Sequence, residues 1–181
     1  RRGKNTERVA AITEAADKHM VPIVYVNQVG GQDELIFDGS SFVVDAKGKV
    51  IARLPQFEEA VEVVDVDVPS SARGALPVIA TSLERRNREP LVTASIAESN
   101  DAIGEVWNAL VLATHDYVNK NGFSEAVVGL SGGVDSSLVA AIAVDALGPQ
   151  KVHGVSMPSR YSSAGSQDDA AELALNFGVD F

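Results

Sequence analysis

The sequence has 181 residues, of which 45% are hydrophobic and 22% charged, a composition typical of a globular protein with an apolar core. Its formal net charge of −10 argues against nonspecific binding to nucleic acid or to an anionic membrane, because both need a basic face. It contains no cysteine, which excludes disulfides and cysteine nucleophiles from this stretch and is compatible with the cytoplasmic location that we expect. No apolar run reaches the roughly 18 residues of a membrane span, so we expect no membrane partner.

The first 68 residues predict one helix followed by several strands. Hydrophobic residues recur at helical spacing over residues 5–20, and Asn5 or Thr6 is the expected N-cap. A polar, glycine-rich segment at 29–35 predicts a loop. Alternation of apolar and polar residues and a high content of β-branched residues predict four strands: 22–28, 41–45, 49–54 and 60–68. In the last of these, valines alternate with acidic residues.

The regular alternation of residues ends at Pro69, and the prolines, serines and clustered charges that follow predict a linker over 69–100. Strands and helices alternate after it, which predicts a parallel sheet with right-handed crossovers. The apolar run at 126–130 is typical of a strand covered on both faces. The predicted elements are helix 101–121, strand 125–130, helix 136–147, strand 151–157, helix 166–177 capped by Ser166, and the start of a strand at 179–181.

The stretch VVGLSGGVDSSLVAAIA, residues 127–143, ends a strand with glycines and serines and then opens a helix. Ligands of open parallel sheets bind at the carboxyl ends of strands, and a helix N-terminus offers free N–H groups and a positive dipole end. Gly132 and Gly133 let the backbone approach a ligand closely. The pattern predicts a phosphate cradle, and Asp135 fits it if a Mg²⁺ lies between its carboxylate and the phosphates.

Two other interpretations of this turn stay open. Residues 129–133 match G-x-S-x-G, the nucleophile elbow of α/β-hydrolases, with Ser131 as the nucleophile. That site needs an acid and then a histidine downstream, and the only later histidine is His153, on the next predicted strand. The turn could also be a tight strand-to-helix connection with no ligand. No lysine follows the glycines as in a Walker A loop, and their offsets differ from the dinucleotide fingerprint.

Residues 131–136, SGGVDS, resemble the SGGxDS signature of the PP-loop ATP pyrophosphatases, which split ATP to AMP and pyrophosphate while they adenylate a substrate. The continuation KVHGVSMPSRYSSAGSQDDAAELALNFGV resembles the second strand and following helix of NAD synthetases. The resemblance implies hydroxyl donation from Ser131 and Ser136 and a Mg²⁺ ligand in Asp135. It implies an ATP site formed by Gly129, Leu130, Ser131, Gly132, Gly133, Val134, Asp135 and Ser136.

The stretch VPIVYVNQVGGQDELIFDGSSFVVDAKGKVIARLPQFEE, residues 21–59, resembles the last part of the nitrilase-type amidase domain of glutamine-dependent NAD synthetases. The resemblance implies an α/β fold in which 1–68 ends a nitrilase-like α/β sandwich, 69–100 is a linker and 101–181 begins a PP-loop (adenine nucleotide alpha hydrolase-like) parallel-sheet domain. It also implies that ammonia from glutamine attacks the adenylated carboxylate of deamido-NAD⁺, in an enzyme that forms large homo-oligomers.

The family's glutaminase triad of Glu, Lys and Cys precedes the part that matches residue 1, so we expect an internal fragment without these catalytic residues. Lys4 matches a basic residue that binds glutamine, and the resemblance puts 28–38 near the glutamine pocket or the ammonia path. The open alternatives are another PP-loop amidotransferase or adenylating ligase, or an amidase-like interaction module fused to a nucleotide-binding domain that does not turn ATP over.

Overall fold

The structure is a computed structural model that describes residues 3–68, 89, 94–158 and 164–181. The chain forms two compact units: the first joins Arg1–Gln28 to Asp38–Asn100, and the second joins Val29–Phe37 to Asp101–Phe181. Most of the predicted linker, 69–88 and 90–93, lies outside the described residues. The elements in chain order are α1 (Lys4–His19), β1 (Ile23–Tyr25), β2 (Val29–Gln32), β3 (Leu35–Asp38), β4 (Phe42–Val44), β5 (Val50–Arg53), α2 (Ala102–Lys120), β6 (Ala126–Gly129), α3 (Val134–Leu147), a short 3-10 helix (Pro149–Lys151), β7 (Val152–Val155) and α4 (Ala164–Phe177).

The first unit packs α1 against an antiparallel sheet of order β1-β4-β5. Ala16 of α1 is buried together with Phe42 and Val44 of the central strand β4, and the Tyr25 ring stacks on Phe42 at 5.2 Å between centroids. The predicted N-cap of α1 is wrong, because the helix already begins at Lys4 after Gly3, which has φ 75°. The Asn5 side chain instead accepts a hydrogen bond from the Ser40 hydroxyl at 3.3 Å.

The predicted strand at 60–68 is wrong, since the structure assigns this segment no regular secondary structure and leaves Val61 95% exposed. Alternation of apolar and polar residues indicates that one side of a strand could be buried, but a strand also needs a neighbouring strand edge to which its backbone groups can hydrogen-bond. The edge of β5 that does not pair with β4 pairs instead with residues 95–97. The Arg53 N–H donates to the Ser95 carbonyl at 3.0 Å, and the Arg53 carbonyl accepts from the Ala97 N–H at 2.9 Å.

The predicted loop at 29–35 is also wrong, because β2 and β3 form a two-stranded sheet there, joined by Asp33 and Glu34. Asp33 adopts φ 50°, the left-handed conformation that a tight two-residue connection requires. The hairpin packs on α2 within the second unit. Because Gly30 and Gly31 carry no side chains, the segment VGGQ shows no alternation of apolar and polar residues that would predict a strand.

In the second unit β6 and β7 pair in parallel, with Val128 opposite Gly154, as the alternating elements predicted. Asp180 forms a parallel bridge with His153, where the sequence predicted the start of a further strand. The core of this unit is built mainly from small side chains of α3 and α4 against the strands: Val128, Leu130, Ala140, Ala143, Val152, Ala170 and Ala174.

The prediction that the strand over 125–130 is covered on both faces does not hold for the described residues. Val127 is 70% exposed, whereas its neighbours Val128 and Leu130 are buried. The alanines of α3 and α4 pack on the buried side of the strand, and side chains alternate between the two faces. Of the helices in the described ranges, none is long and apolar enough to span a membrane.

Helix α2 begins at a side-chain cap and packs on α3. The Asp101 carboxylate accepts hydrogen bonds from the N–H groups of Ile103 and Gly104 at 3.2 and 2.7 Å, which satisfies two donors of the first turn. The Trp107 indole N–H donates to the Asp145 carboxylate at 2.9 Å and ties α2 to the last turns of α3.

Candidate functional site

The glycine and serine turn lies at the carboxyl end of β6 and leads directly into α3. Leu130 is buried in the core, and its N–H donates to the Val155 carbonyl at 2.9 Å, so the start of the turn is fixed to the sheet. Ser131 and Gly133 are exposed. The structure therefore brings the predicted residues 129–136 together at the sheet edge where open parallel sheets bind ligands.

A ring of hydrogen bonds between two serines and a glycine holds the shape of the turn. The Ser131 N–H donates to the Ser136 hydroxyl at 3.2 Å, and the Ser136 hydroxyl donates to the Gly133 carbonyl at 2.9 Å. The two serine hydroxyl oxygens are 3.1 Å apart, and the Gly133 N–H donates to Ser131 Oγ at 3.3 Å. Since a hydroxyl carries one proton, Ser136 must rotate away from Gly133 before it can donate to a ligand.

Gly132 is required by both its conformation and its neighbour. Its φ is +77°, a value that L-residues adopt only with strain. A Cβ added at this position would overlap the carbonyl oxygen of Ser166 and lie 3.0 Å from the Ser166 Cα. The predicted role of Ser166 as an N-cap is wrong, because α4 begins at Ala164, and its backbone instead closes over the turn.

The first turn of α3 presents N–H groups and one carboxylate beside this turn. Ser137 donates the first intrahelical bond, to the Gly133 carbonyl at 3.1 Å, so the N–H groups of Val134, Asp135 and Ser136 precede the helical ladder. Such groups and the helix dipole favour an anion. Within the described ranges, no group of three or more His, Cys, Asp or Glu side chains forms a metal site. A Mg²⁺ held by the exposed Asp135 would therefore take most of its oxygen ligands from phosphates and water, which suits this ion.

The partners of Ser131 and His153 do not favour the hydrolase alternative. Ser131 Oγ interacts with Ser136 and the Gly133 N–H, whereas the serine of an α/β-hydrolase triad needs an imidazole as its base. The His153 ring nitrogens pair with carboxylates, Nε2 with Glu125 at 3.3 Å and Nδ1 with Asp180 at 3.5 Å.

Lys4, the predicted glutamine ligand, is an exposed residue at the start of α1 in the first unit. Arg8 follows one helical turn later and forms an ion pair with Asp38, with Nη2 and Oδ1 3.0 Å apart. Asn27 donates to the same carboxylate at 2.8 Å. Sequence reasoning missed this network, although the spacing of Lys4 and Arg8 places them on one face of α1.

Two family models match separate parts of the chain: carbon-nitrogen hydrolase over residues 3–75 and NAD synthase over residues 106–181. The glutamine-dependent NAD(+) synthetase of Synechocystis is 44% identical over 98% of this chain and 29% of its own length. That of Rhodobacter capsulatus is 46% identical over 99% of the chain and 30% of its own length. The chain thus spans about three tenths of the length of these curated relatives.

Solved structures give the same picture of the fold. The glutamine-dependent NAD+ synthetase of Acinetobacter baumannii, solved in complex with adenosine diphosphate, is 40% identical and superposes with a TM-score of 0.77 over 99% of this chain and 31% of that one. A glutamine-dependent NAD(+) synthetase from Cytophaga hutchinsonii superposes with a TM-score of 0.74 over 99% of this chain and 33% of that one. At 20% identity, the second similarity concerns the fold alone.

Proposed function

The chain belongs to the family of glutamine-dependent NAD(+) synthetases, and we therefore propose that the protein uses ATP and glutamine to convert deamido-NAD⁺ to NAD⁺. The observation that carries the proposal is the turn at residues 131–136, in which Gly132 closes under Ser166 and the first N–H groups of α3 stand free of the helical ladder. AMP, pyrophosphate and glutamate are the other products of this reaction.

In this proposal the turn binds the ATP phosphates. Residues 129–136 surround them, the N–H groups at the start of α3 point at their charge, and Ser131 and Ser136 donate hydroxyl bonds after rotating out of their resting ring. A Mg²⁺ held by Asp135 would neutralise phosphate charge where the carboxylate alone would repel it. Adenylation is needed because a carboxylate is a poor electrophile, whereas AMP is a good leaving group when ammonia attacks.

The first unit, in the same proposal, belongs to the part that releases ammonia from glutamine. Lys4 contacts the glutamine substrate, and the Arg8–Asp38 pair holds the helix face that carries Lys4. Homo-oligomeric assembly and the domain boundaries 1–68, 69–100 and 101–181 remain predictions from the family resemblance, and the cytoplasmic location remains a prediction from the sequence.

The test uses the full-length protein that carries this chain, because we expect neither activity from this piece alone. It receives Mg-ATP, deamido-NAD⁺ and glutamine labelled with ¹⁵N in its side-chain amide, and NAD⁺ and AMP are then analysed by mass spectrometry. We expect labelled NAD⁺ and AMP in equal amounts from the wild type and a loss of both in Asp135→Asn. Asp17→Asn, which changes an exposed carboxylate on α1, is the matched control and should match the wild type. AMP without labelled NAD⁺ would indicate another acceptor or nitrogen source, and no AMP from any carboxylate substrate would refute the proposal.

A further inference from the structure

The carbonyl oxygen of Gly133, in the glycine and serine turn, is approached by three hydrogen-bond donors. The Ser137 N–H donates to it at 3.1 Å, as the first bond of α3. The hydroxyls of Ser136 and Ser137 also donate to it, each at 2.9 Å. A carbonyl oxygen has two lone pairs, so three donors compete for two acceptor positions. One of the three hydrogen bonds can therefore be given up while both lone pairs stay occupied.

The Ser136 hydroxyl is the donor that can leave this carbonyl. The Ser137 N–H is fixed by the backbone of α3, and the Ser137 hydroxyl reaches back four residues in the way that serine commonly does within a helix. The Ser136 oxygen is held in place by the Ser131 N–H, which donates to it at 3.2 Å. Its O–H bond can still turn about the Cβ–Oγ bond. Ser136 can thus redirect its proton without moving its oxygen.

Helix α2 shows what an ordinary bond of the Ser137 kind is like. Thr114 Oγ1 donates to the Leu110 carbonyl, also four residues earlier, at 2.8 Å. Such bonds are common for serine and threonine in helices and need no functional explanation. The Ser137 bond differs because its acceptor is also the acceptor of Ser136, a residue of the candidate ATP site. Ser137 lies just outside the predicted site residues 129–136, yet it shares an atom with them.

We infer that Ser137 is a positioning residue of the ATP site, which keeps the Gly133 carbonyl hydrogen-bonded while Ser136 turns its hydroxyl from that carbonyl to a phosphate oxygen. The inference rests on the proposed function, because it takes the bound phosphates as the new acceptor. In this role Ser137 acts through Gly133 and does not touch the nucleotide. Without the Ser137 hydroxyl, turning Ser136 toward a phosphate would leave one acceptor position of the carbonyl unfilled, which costs free energy on binding.

The experiment measures the Kd of Mg-ATP by calorimetric titration of the full-length protein that carries this chain. Ser137→Ala is expected to weaken binding roughly three- to tenfold, the range that corresponds to one neutral hydrogen bond. Alanine is a better helix former than serine, so this variant should fold. Ser137→Thr should bind within about twofold of the wild type, because a threonine hydroxyl can make the same bond to a carbonyl one turn earlier. Thr114→Ala removes the corresponding bond in α2 and should leave the Kd unchanged.

A double-mutant cycle distinguishes positioning from a general effect of Ser137 on the turn. Ser136→Ala and the double variant Ser136→Ala/Ser137→Ala are titrated in the same way. Once the Ser136 hydroxyl is absent, no proton is redirected, so removing the Ser137 hydroxyl as well should change the Kd no further. A merely structural contribution of Ser137 to the first turn of α3 would weaken binding by the same factor in both backgrounds.

The outcomes separate this inference from the proposed function. Equal losses from Ser137→Ala in the wild-type and Ser136→Ala backgrounds overturn the inference, and so does a Ser137→Ala protein that binds Mg-ATP as tightly as the wild type. An unchanged Kd in Ser136→Ala overturns it too, because Ser136 then donates nothing to the phosphates, while the ATP site itself stands. If the wild-type protein binds no Mg-ATP, the proposed function fails first, and the positioning role falls with it.

Discussion

Replacing Gly132 by alanine isolates the closest backbone contact of the ATP turn. The chain offers a matched control in Gly122, which has the same φ of +77° but open space around an added Cβ. Both substitutions force an L-residue into the left-handed region, at a cost of about 1–2 kcal/mol. Only Gly132→Ala adds the overlap with the Ser166 carbonyl, and forcing extra atoms into a packed contact costs roughly 1–3 kcal/mol more.

The additional free-energy cost of Gly132→Ala can be measured as a change in the equilibrium constant for local opening of the turn. Each 1.4 kcal/mol corresponds to about a tenfold change in an equilibrium constant, so the further 1–3 kcal/mol predicts roughly 5- to 150-fold faster amide exchange than the shared strain alone. Hydrogen–deuterium exchange measures this difference. Peptides covering 128–137 in Gly132→Ala are compared with peptides covering 118–125 in Gly122→Ala. Calorimetric titration with Mg-ATP should show at least a tenfold loss of affinity for Gly132→Ala and none for Gly122→Ala.

One result would refute this reasoning. If the two variants lose local stability equally and bind Mg-ATP equally well, α4 does not close over the turn as the structure shows. The left-handed strain would then be the whole effect, and the assignment of the turn as the phosphate cradle would lose its steric basis.

Three further predictions follow from other contacts. Asp101→Ala removes the N-cap of α2 and should lower the free energy of unfolding by about 1 kcal/mol in a urea titration. Asp101→Asn should retain most of this stability, because asparagine also caps helices, and equal losses in the two variants would contradict the capping role. Lys4→Met should raise the KM for glutamine several-fold and leave ammonium-dependent NAD⁺ synthesis unchanged, and an unaltered KM would remove Lys4 from the glutamine site. Burial by itself would raise the pKa of Asp116, but hydrogen bonds from Lys120 and from the Gly31 N–H of the hairpin outweigh it and lower the pKa from 3.8 to about 2. Its stabilisation of the hairpin is therefore complete above pH 3.8 and is lost as the pH falls toward 2. Amide exchange at residues 29–32, corrected for its intrinsic pH dependence, should show this loss in the wild type and not in Asp116→Asn.

Helical periodicity and turn chemistry carried the local predictions. The helices expected over 5–20, 101–121, 136–147 and 166–177 are present as α1 to α4, with ends displaced by one or two residues. The run SGGVDSS after an apolar strand predicted the turn at the carboxyl end of β6. These features depend on neighbours within a few residues, so the sequence by itself contains the information that decides them.

Pairing between distant segments was decided only by the tertiary structure. Residues 60–68 alternate like a strand, yet the edge of β5 pairs with residues 95–97 instead. Gly30 and Gly31 resemble loop residues in the sequence, because what they provide is a close approach to Asp116 and Ala113 of α2, more than 80 positions away. Asp116 and Lys120 are recognisable from sequence as a helical i,i+4 pair, but their common partner is the Gly31 peptide. Local sequence sets the conformations a segment favours, and only the competition for edges, space and hydrogen-bond partners across the fold selects among them.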